Sequence, residues 1–184
     1  MGRLRSAFSI AAAADGLVDI AYRVVDSPVG PLLLAGTELG LVRVAFSREG
    51  HDTVLEALAA TISPRVIAAP ARLDPAAREM DEYFAGRRHS FALPLDFRLA
   101  SGFRREVLAH LPEIGYGHTA SYAQVAALTS SPRAVRAVGT ACARNPLPLV
   151  VPCHRVIRAD GSQGAYLGGA EAKALLLALE AGSG

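Results

Sequence analysis

SYAQVAALTSSPRAVRAVGTACA, residues 121–143, predicts two short helices joined by three polar residues. The first helix is expected at Tyr122–Leu128. Ser131 is a candidate N-cap for the second helix, because its hydroxyl can accept a free backbone N–H and a proline follows at the first helical position. We expect the second helix to end near Ala143, about 18 Å further on. Two short helices in this order are a helix-turn-helix candidate.

Arginines mark one face of the second helix. Arg133 and Arg136 are one turn apart, and the opposite, buried face is expected to carry Val135, Val138 and Cys142. Many helical hairpins carry two arginines on a solvated face, so this pattern alone leaves a plain hairpin as the alternative. Small residues let a partner backbone approach closely, and this helix carries a run of them at Ala134, Ala137, Gly139 and Ala141.

A thiol and an imidazole stand side by side in residues 149–157, LVVPCHRVI, among apolar residues expected in the core. Alone, a buried cysteine is usually a small hydrophobe and a buried histidine a satisfied core group. Together, Cys153 and His154 indicate chemistry, because an imidazole that accepts the thiol proton raises the reactive thiolate fraction. Neighbouring side chains of an extended segment point to opposite faces, so a bridging water is an alternative to direct contact. Such a histidine needs an orienting carboxylate.

Length and composition limit the class of protein. The 184 residues allow one domain or two small ones, and 51% hydrophobic with 20% charged residues is typical of a globular chain. No apolar run reaches the roughly 18 residues of a membrane-spanning helix. Two cysteines are too few for a disulfide framework or an all-cysteine zinc site, so a cytoplasmic location is expected. Residues 1–14 imitate a secretion signal, but a frayed N-terminal extension is the favoured interpretation.

The distribution of charge points to a polyanionic partner. The formal net charge is only +2, yet no acidic residue lies between Glu113 and Asp160. Five arginines do lie there: Arg133, Arg136, Arg144, Arg155 and Arg158. A stretch without carboxylates suits a partner rich in phosphate, because carboxylates would repel it. Local chance is the alternative when the charges are taken alone.

Apolar and polar residues alternate along parts of the first half, as they do in the strands of a sheet. An antiparallel meander and two helices are expected, with strands at 18–24, 31–35 and 41–46 and helices at 51–62 and from Asp74 onward. Tyr83 is expected on the inner face of the second of these helices. Ser90–Phe97 is expected as an edge strand or an extended linker, because Pro94 cannot donate to a strand ladder. The domain boundary is placed near this segment, which gives domains at 1–98 and 99–184.

Several motifs of the second half occur together in one known family. They are Arg136-Ala137-Val138-Gly139, Asn145-Pro146, Pro152-Cys153-His154-Arg155-Val156, and Gly168-Gly169 followed at fixed steps by Lys173, Leu176 and Glu180. On these motifs the chain resembles the methylated-DNA–protein-cysteine methyltransferases, also called O6-alkylguanine-DNA alkyltransferases. The match is dense over 103–180, whereas the first hundred residues resemble the family only in layout. The resemblance implies an α/β N-terminal ribonuclease-H-like domain and a mainly α C-terminal domain with a helix-turn-helix.

The resemblance implies a catalytic set of four residues. Cys153 would be the alkyl acceptor, His154 a base that acts through water, and Glu180 the carboxylate that orients His154. Asn145 would brace the turn that carries the cysteine and link it to the recognition helix. Because a thioether does not hydrolyse, each molecule would act once, with no cofactor and no metal.

The resemblance also implies a DNA-binding set. Arg136 would enter the duplex in place of an extruded guanine, because a stacked base cannot meet a protein sulfur in line. Tyr122 would rotate a phosphate and donate toward the purine ring. The other expected contacts, in the minor groove and on phosphate, come from Arg104, Ser131, Ala134 and Ala137. The expected partner is double-stranded DNA carrying O6-alkylguanine, bound by a monomer, with cooperative binding left open and no membrane partner.

The resemblance implies a pocket for the alkylated guanine. Its lining would be Pro148, Val156, Tyr166, Leu167 and Gly168. Main-chain carbonyls near Cys153 and Val156 would accept from the guanine amine. Relatives often have serine where this chain has Leu167, so here only the backbone N–H could donate to guanine O6. The bulk of Leu167 is expected to alter the tolerance for large alkyl groups.

Three other functions share some of these features. A non-catalytic sensor of alkylated DNA has the same fold, but its acceptor cysteine is replaced, whereas Cys153 is present here. A helix-turn-helix regulator would leave the cysteine, histidine and glutamate without a purpose. A cysteine hydrolase would not explain the stretch without acids. The function that the resemblance implies is alkyl transfer from O6 of guanine to Cys153, with O4 of thymine left open as a second substrate and the sensor of the same fold as the alternative.

Overall fold

A four-stranded sheet forms from the first half of the chain in the structure, a computed structural model that describes residues 18–182. Its strands are β1 (Ile20–Val25), β2 (Leu32–Thr37), β3 (Gly40–Phe46) and β4 (Val66–Ala68), in the order β3-β2-β1-β4. The first three pair antiparallel, so the predicted meander is confirmed. β4 pairs parallel with β1 and was not predicted, because three residues are too few to display an alternation.

Two helices complete this half, α1 (His51–Thr61) and α2 (Asp74–Phe84). The segment Ser90–Phe97 is an extended linker, in which Leu41 donates to the Pro94 carbonyl over 2.8 Å. Gly40 has a φ of +139°, and a Cβ there would lie 2.2 Å from the Pro94 oxygen. Only glycine therefore allows the linker to reach β3.

The second half is mainly helical. Its helices are α3 (Gly102–His110), α4 (Tyr122–Ala127), α5 (Val135–Ala143) and α6 (Ala170–Ala181). A short parallel pair, β5 (Ala120–Ser121) with β6 (Val156–Ile157), lies between them in the chain. Helix α5 packs against both α3 and α4, burying Val107, Val125 and Val138. An α/β first half and a mainly helical second half confirm the predicted fold class.

The start of α5 differs from the prediction. The helix begins at Val135 and is nine residues long, about 14 Å rather than 18 Å. Ser131 is not its N-cap, because the Ala134 N–H donates to the Ser131 carbonyl over 2.9 Å and closes a separate turn. Thr129 Oγ1 accepts the Ser131 N–H over 3.2 Å, which stabilises the turn in place of a longer helix.

This later start changes the faces of α5. Arg133 lies in the turn, so it is not on the same helical face as Arg136. Val135, which was predicted to be buried, lies in the first turn and is 38% exposed. Val138 and Cys142 are buried as predicted.

The chain divides into two units. One holds the residues up to Glu82 together with Ala92–Asp96, and the other holds Tyr83–Phe91 and the chain from Phe97 onward. Tyr83, near the end of α2, therefore belongs to the second unit, while the boundary between 98 and 99 stays a prediction. No helix within residues 18–182 is long and apolar enough to cross a membrane. The N-terminal stretch 1–14 lies outside the described residues.

Candidate active site

Cys153 begins a short 3-10 helix, Cys153–Arg155, and is only 2% exposed. Burial raises the pKa of its thiol to about 11, although a hydrogen bond from Asn145 and the charge of Lys173 act in the opposite direction. The Asn145 Nδ2 atom lies 3.2 Å from Cys153 Sγ. The thiol is thus protonated at neutral pH and needs a base before it can act as a nucleophile.

Asn145 also holds the turn that leads to the cysteine. Its Nδ2 donates to the Val151 carbonyl over 2.8 Å, and its Oδ1 accepts the Leu147 N–H over 3.0 Å. Between these contacts Leu149 has a φ of 75°, a region that residues with side chains rarely adopt. One buried amide therefore stabilises a strained turn and donates to the thiol at the same time.

His154 and Glu180 form a buried pair in which Nε2 lies 2.8 Å from Oε1. Burial alone would raise the pKa of Glu180, but hydrogen bonds from His154 and Arg155 outweigh it and lower the pKa to about 2. An ionised carboxylate only accepts, so the His154 proton sits on Nε2. Burial lowers the pKa of His154, so its imidazole is neutral at neutral pH. Its free lone pair is then on Nδ1, a buried atom without a hydrogen-bond partner in the described structure.

Two residues that sequence reasoning missed complete this cluster. Arg155 donates to Glu180 from Nε over 2.8 Å and from Nη2 over 3.0 Å, and from Nη1 to the Ile114 carbonyl over 2.6 Å. Tyr83 donates to Glu180 Oε1 over 2.7 Å, and its oxygen lies 3.5 Å from His154 Nε2. The sequence does contain a signal for Arg155, because an arginine inside an apolar stretch is expected to have a buried partner. Nothing local signals Tyr83, which is 97 residues from Glu180.

Lys173 places a buried ammonium beside the site. Its Nζ donates to the Val156 carbonyl over 2.6 Å. Burial lowers the pKa of Lys173, while the neighbouring thiols Cys153 and Cys142 favour its charged form. The Val156 carbonyl, implied by the resemblance as an acceptor for the guanine amine, keeps a second lone pair for that contact.

The predicted pocket residues come from two parts of the chain. Pro148 and Val156 are buried, whereas Tyr166, Leu167 and Gly168 are half-buried in the loop before α6. The Tyr166 ring stands edge-on to the His154 ring with centroids 6.2 Å apart. This contact brings the loop to the imidazole.

Tyr122 is the first residue of α4 and is half-buried. A Cβ at Gly164, where φ is +65°, would lie 2.7 Å from the Tyr122 hydroxyl. Burial raises the pKa of Tyr122, and Cys142 and Cys153 add to the effect. The phenol is therefore a neutral donor near both thiols.

The remaining residues of the DNA-binding set lie on α3, on α5 and in the turn before α5: Ser131, Arg136 and Ala137 are exposed, and Arg104 and Ala134 are half-buried. Arg104 donates from Nη2 to the Leu99 carbonyl over 2.5 Å. Its side chain lines a cavity of about 400 Å³ together with Ala137 and Arg144. Two arginines, Arg104 and Arg144, therefore line one opening between α3 and α5.

Cys142 is the second thiol of the region, buried on α5. Burial raises its pKa further than that of Cys153, so it is the less easily ionised of the two. Within residues 18–182 no group of three or more His, Cys, Asp or Glu side chains could hold a metal ion.

Comparison with known proteins identifies both halves. Residues 20–97 match the family described as 6-O-methylguanine DNA methyltransferase, ribonuclease-like domain. Residues 102–182 match the family described as 6-O-methylguanine DNA methyltransferase, DNA binding domain. These two matches follow each other along the chain in the order of the two units.

Proteins that are similar over most of the chain point to the same family. A methylated-DNA–protein-cysteine methyltransferase of Methanosarcina barkeri is 40% identical over 162 residues, covering 86% of this chain and 96% of that protein. The constitutive enzyme of the same name from Bacillus subtilis is 39% identical, covering 86% and 94%. The crystal structure of Mycobacterium tuberculosis OGT in complex with DNA superposes with a TM-score of 0.78 at 36% identity, covering 89% of this chain and 94% of that one. The chain belongs to the O6-methylguanine-DNA methyltransferase family.

Proposed function

We propose that this protein repairs alkylated DNA by direct reversal, moving the alkyl group from O6 of guanine in a duplex to Cys153. The observation that carries the proposal is the buried cluster in which Asn145 contacts Sγ and Glu180 fixes the tautomer of His154. Similar proteins are named for transfer to a protein cysteine. A sensor that only binds the lesion would have no use for this thiol and base.

The reaction is an in-line displacement at the alkyl carbon. The Cys153 proton passes through a water to His154 Nδ1, the sulfur forms a bond to carbon, and the carbon–O6 bond breaks. The electron pair of that bond remains on guanine, which takes up the proton held by His154 and returns to its normal form, so that the imidazole is neutral again. Glu180, paired with Arg155, stays ionised and stabilises the imidazolium that forms meanwhile. The thioether does not hydrolyse, so the protein acts once.

Access to O6 requires that the guanine leave the stack. Arg136 is exposed in the first turn of α5, and we assign it to the space that the guanine vacates. Tyr122 is assigned to the flipped nucleotide, with its phenol as donor. The side chains of Ala134 and Ala137 are small enough to let the helix approach a minor groove closely. Ser131 lies in the turn before them. Arg104 and Arg144 face one cavity and would neutralise phosphates.

The pocket for the base is assigned to Pro148, Val156 and the loop 166–168. The carbonyl of Val156 would accept from the guanine amine, and the Leu167 N–H would donate to O6. We expect the bulk of the Leu167 side chain to alter the tolerance of the pocket for large alkyl groups. We propose a cytoplasmic monomer with domains at 1–98 and 99–184 that needs no cofactor.

A duplex that carries a single O6-methylguanine tests the function from the DNA side. Nucleoside analysis after incubation should show that O6-methylguanine disappears and guanine appears, mole for mole with the protein added. The matched control, Cys153→Ala, should bind the duplex and leave the lesion unchanged. Binding of the lesion without any loss of O6-methylguanine would support the sensor instead.

A further inference from the structure

Tyr83 contributes a buried hydroxyl that none of the steps above uses. Its O–H donates to Glu180 Oε1 over 2.7 Å, and its oxygen lies 3.5 Å from His154 Nε2. The same Oε1 also accepts from Arg155 Nη2 and from His154. Three donors therefore converge on one carboxylate oxygen, and they compete for its lone pairs.

The phenol of Tyr83 stays protonated, and therefore stays a donor, at and well above neutral pH. Burial raises the pKa of Tyr83 well above its usual value, and the negative charge of Glu180 raises it further. The proton therefore stays on the Tyr83 oxygen, and the hydrogen bond to Glu180 has a fixed direction. A fixed donor on Oε1 reduces the negative charge that this oxygen offers to His154.

We propose that Tyr83 is a positioning residue of the alkyl-transfer site proposed above: by occupying Glu180 Oε1 it limits the pull of the carboxylate on the Nε2 proton, and so keeps His154 neutral and able to accept the thiol proton. Without this donor, Glu180 would stabilise the imidazolium more strongly. A larger fraction of His154 would then be protonated before the thiol gives up its proton, and a protonated imidazole is no base.

The other groups that face His154 and Glu180 act on the same equilibrium. Arg155 and Lys173 both lower the pKa of His154, and a substitution at position 83 removes neither of them. Tyr116 packs edge-on against the Tyr83 ring with centroids 6.1 Å apart. Its buried hydroxyl makes no hydrogen bond in the described structure, so it does not reach the carboxylate.

Tyr83→Phe and Tyr116→Phe therefore form a matched pair, since each removes one buried hydroxyl from the same aromatic cluster. The rate of methyl transfer from duplex DNA is measured against pH. The acid limb of this profile is the pH range in which the rate falls because His154 becomes protonated. For Tyr83→Phe we expect the acid limb to move to higher pH by about one unit, which makes transfer about tenfold slower on that limb. Tyr116→Phe should keep the wild-type limb. A role of Tyr83 in packing alone would lower stability without moving the limb.

A stronger donor at the same position should have the opposite effect. Site-specific 3-fluorotyrosine at position 83 keeps the shape of the side chain and has a more acidic phenol, so the acid limb should move to lower pH. This variant keeps the test open if Tyr83→Phe does not fold. A limb that does not move in either variant overturns the proposal.

Nitrogen-15 NMR of the histidine ring separates this proposal from the proposed function. In protein without DNA, the His154 signal, assigned with His154→Gln, should show the proton on Nε2 and titrate at higher pH in Tyr83→Phe than in the wild type. This measurement needs no alkyl transfer. A wild type that transfers nothing would refute the function, whereas an unmoved titration in Tyr83→Phe would refute the role of Tyr83.

Discussion

His154 owes its tautomer to its neighbours. Glu180 is ionised and only accepts, so the imidazole proton is on Nε2 and the lone pair is on Nδ1. From the residues alone, His154 was expected to need an orienting carboxylate, and the resemblance to a known family implied that Glu180 supplies it. Sequence reasoning could not predict that Arg155 occupies both carboxylate oxygens, because the alternation of a strand gives no information about which buried charges meet.

His154→Gln should separate the base from its structural role. The glutamine amide can donate to Glu180 as Nε2 does, but it has no basic lone pair. At neutral pH we expect alkyl transfer to slow by about 10²- to 10⁴-fold. Because burial raises the pKa of Cys153 to about 11, the rate of the variant should rise about tenfold per pH unit as the thiol ionises unaided. Rapid-mixing kinetics across pH measure this, and a variant with the wild-type profile would remove His154 from the mechanism.

Glu180→Gln tests the buried ion pair through stability. Glutamine leaves Arg155 with a buried charge and no counter-ion, which should cost about 3–5 kcal/mol of unfolding free energy at pH 7. In the wild type the folded pKa of Glu180, about 2, lies below its unfolded value, so its stabilising contribution is complete above about pH 4.5 and is lost as the pH falls toward 2. The gap between variant and wild type should therefore shrink across this window.

Urea titrations at several pH values measure that gap. Glu171→Gln is the matched control, since Glu171 is exposed in the first turn of the same helix. It should cost less than about 0.5 kcal/mol. An equal, small effect of both substitutions would mean that Glu180 is not a buried partner of Arg155.

Among the helices and strands, the sequence predicts which kind of element forms better than it predicts the residues at which the element begins and ends. The bounds of α1 agree closely because Val54 and Leu58 are buried at helical spacing from the first turn. The predicted start of α5 was wrong, because Thr129 and the Ser131 carbonyl close a turn that competes with the N-cap expected at Ser131. Local propensity could not decide between these two ways of pairing the same backbone groups.

The later start of α5 makes Arg136 a first-turn residue, and we propose that it enters a duplex from there. Arg136→Ala should slow repair of a duplex lesion by up to about 10²-fold more than it slows reaction with free O6-benzylguanine, because only the duplex must be unstacked, at a cost of a few kcal/mol. Arg133→Ala, in the turn before the helix, should weaken duplex binding without this difference. Single-turnover rates on both substrates measure it. Equal losses on both would assign Arg136 to the pocket or the fold.

At the scale of the whole molecule, the long-range contacts were the ones that the sequence could not predict. Tyr83 was expected to face inward, and it does, but its partner Glu180 lies 97 residues away. The distribution of charge along the chain could be predicted from the sequence more directly than these contacts. Because no acidic residue lies between Glu113 and Asp160, the exposed arginines of that stretch, with Arg104 before it, give a surface suited to phosphate: Arg133, Arg136, Arg144 and Arg158. Arg155, which was expected to belong to the same set, is instead buried and paired with Glu180.

DNA binding should therefore depend steeply on salt. Arg104→Ala and Arg144→Ala should each weaken binding to duplexes of any sequence and reduce the slope of log affinity against log salt by about 1. Fluorescence anisotropy at several salt concentrations measures the slope. A slope unchanged in both variants would mean that the cavity they share does not hold phosphate.

The most direct test of alkyl transfer is the mass of the protein after reaction. Incubation with excess O6-methylguanine duplex should add one methyl group and no more, and peptide mapping should find it on Cys153. Cys142→Ala is the control for the other buried thiol and should give the same single addition, because burial raises the pKa of Cys142 further than that of Cys153. A methyl group on Cys142, or full transfer by Cys153→Ala, would contradict the mechanism.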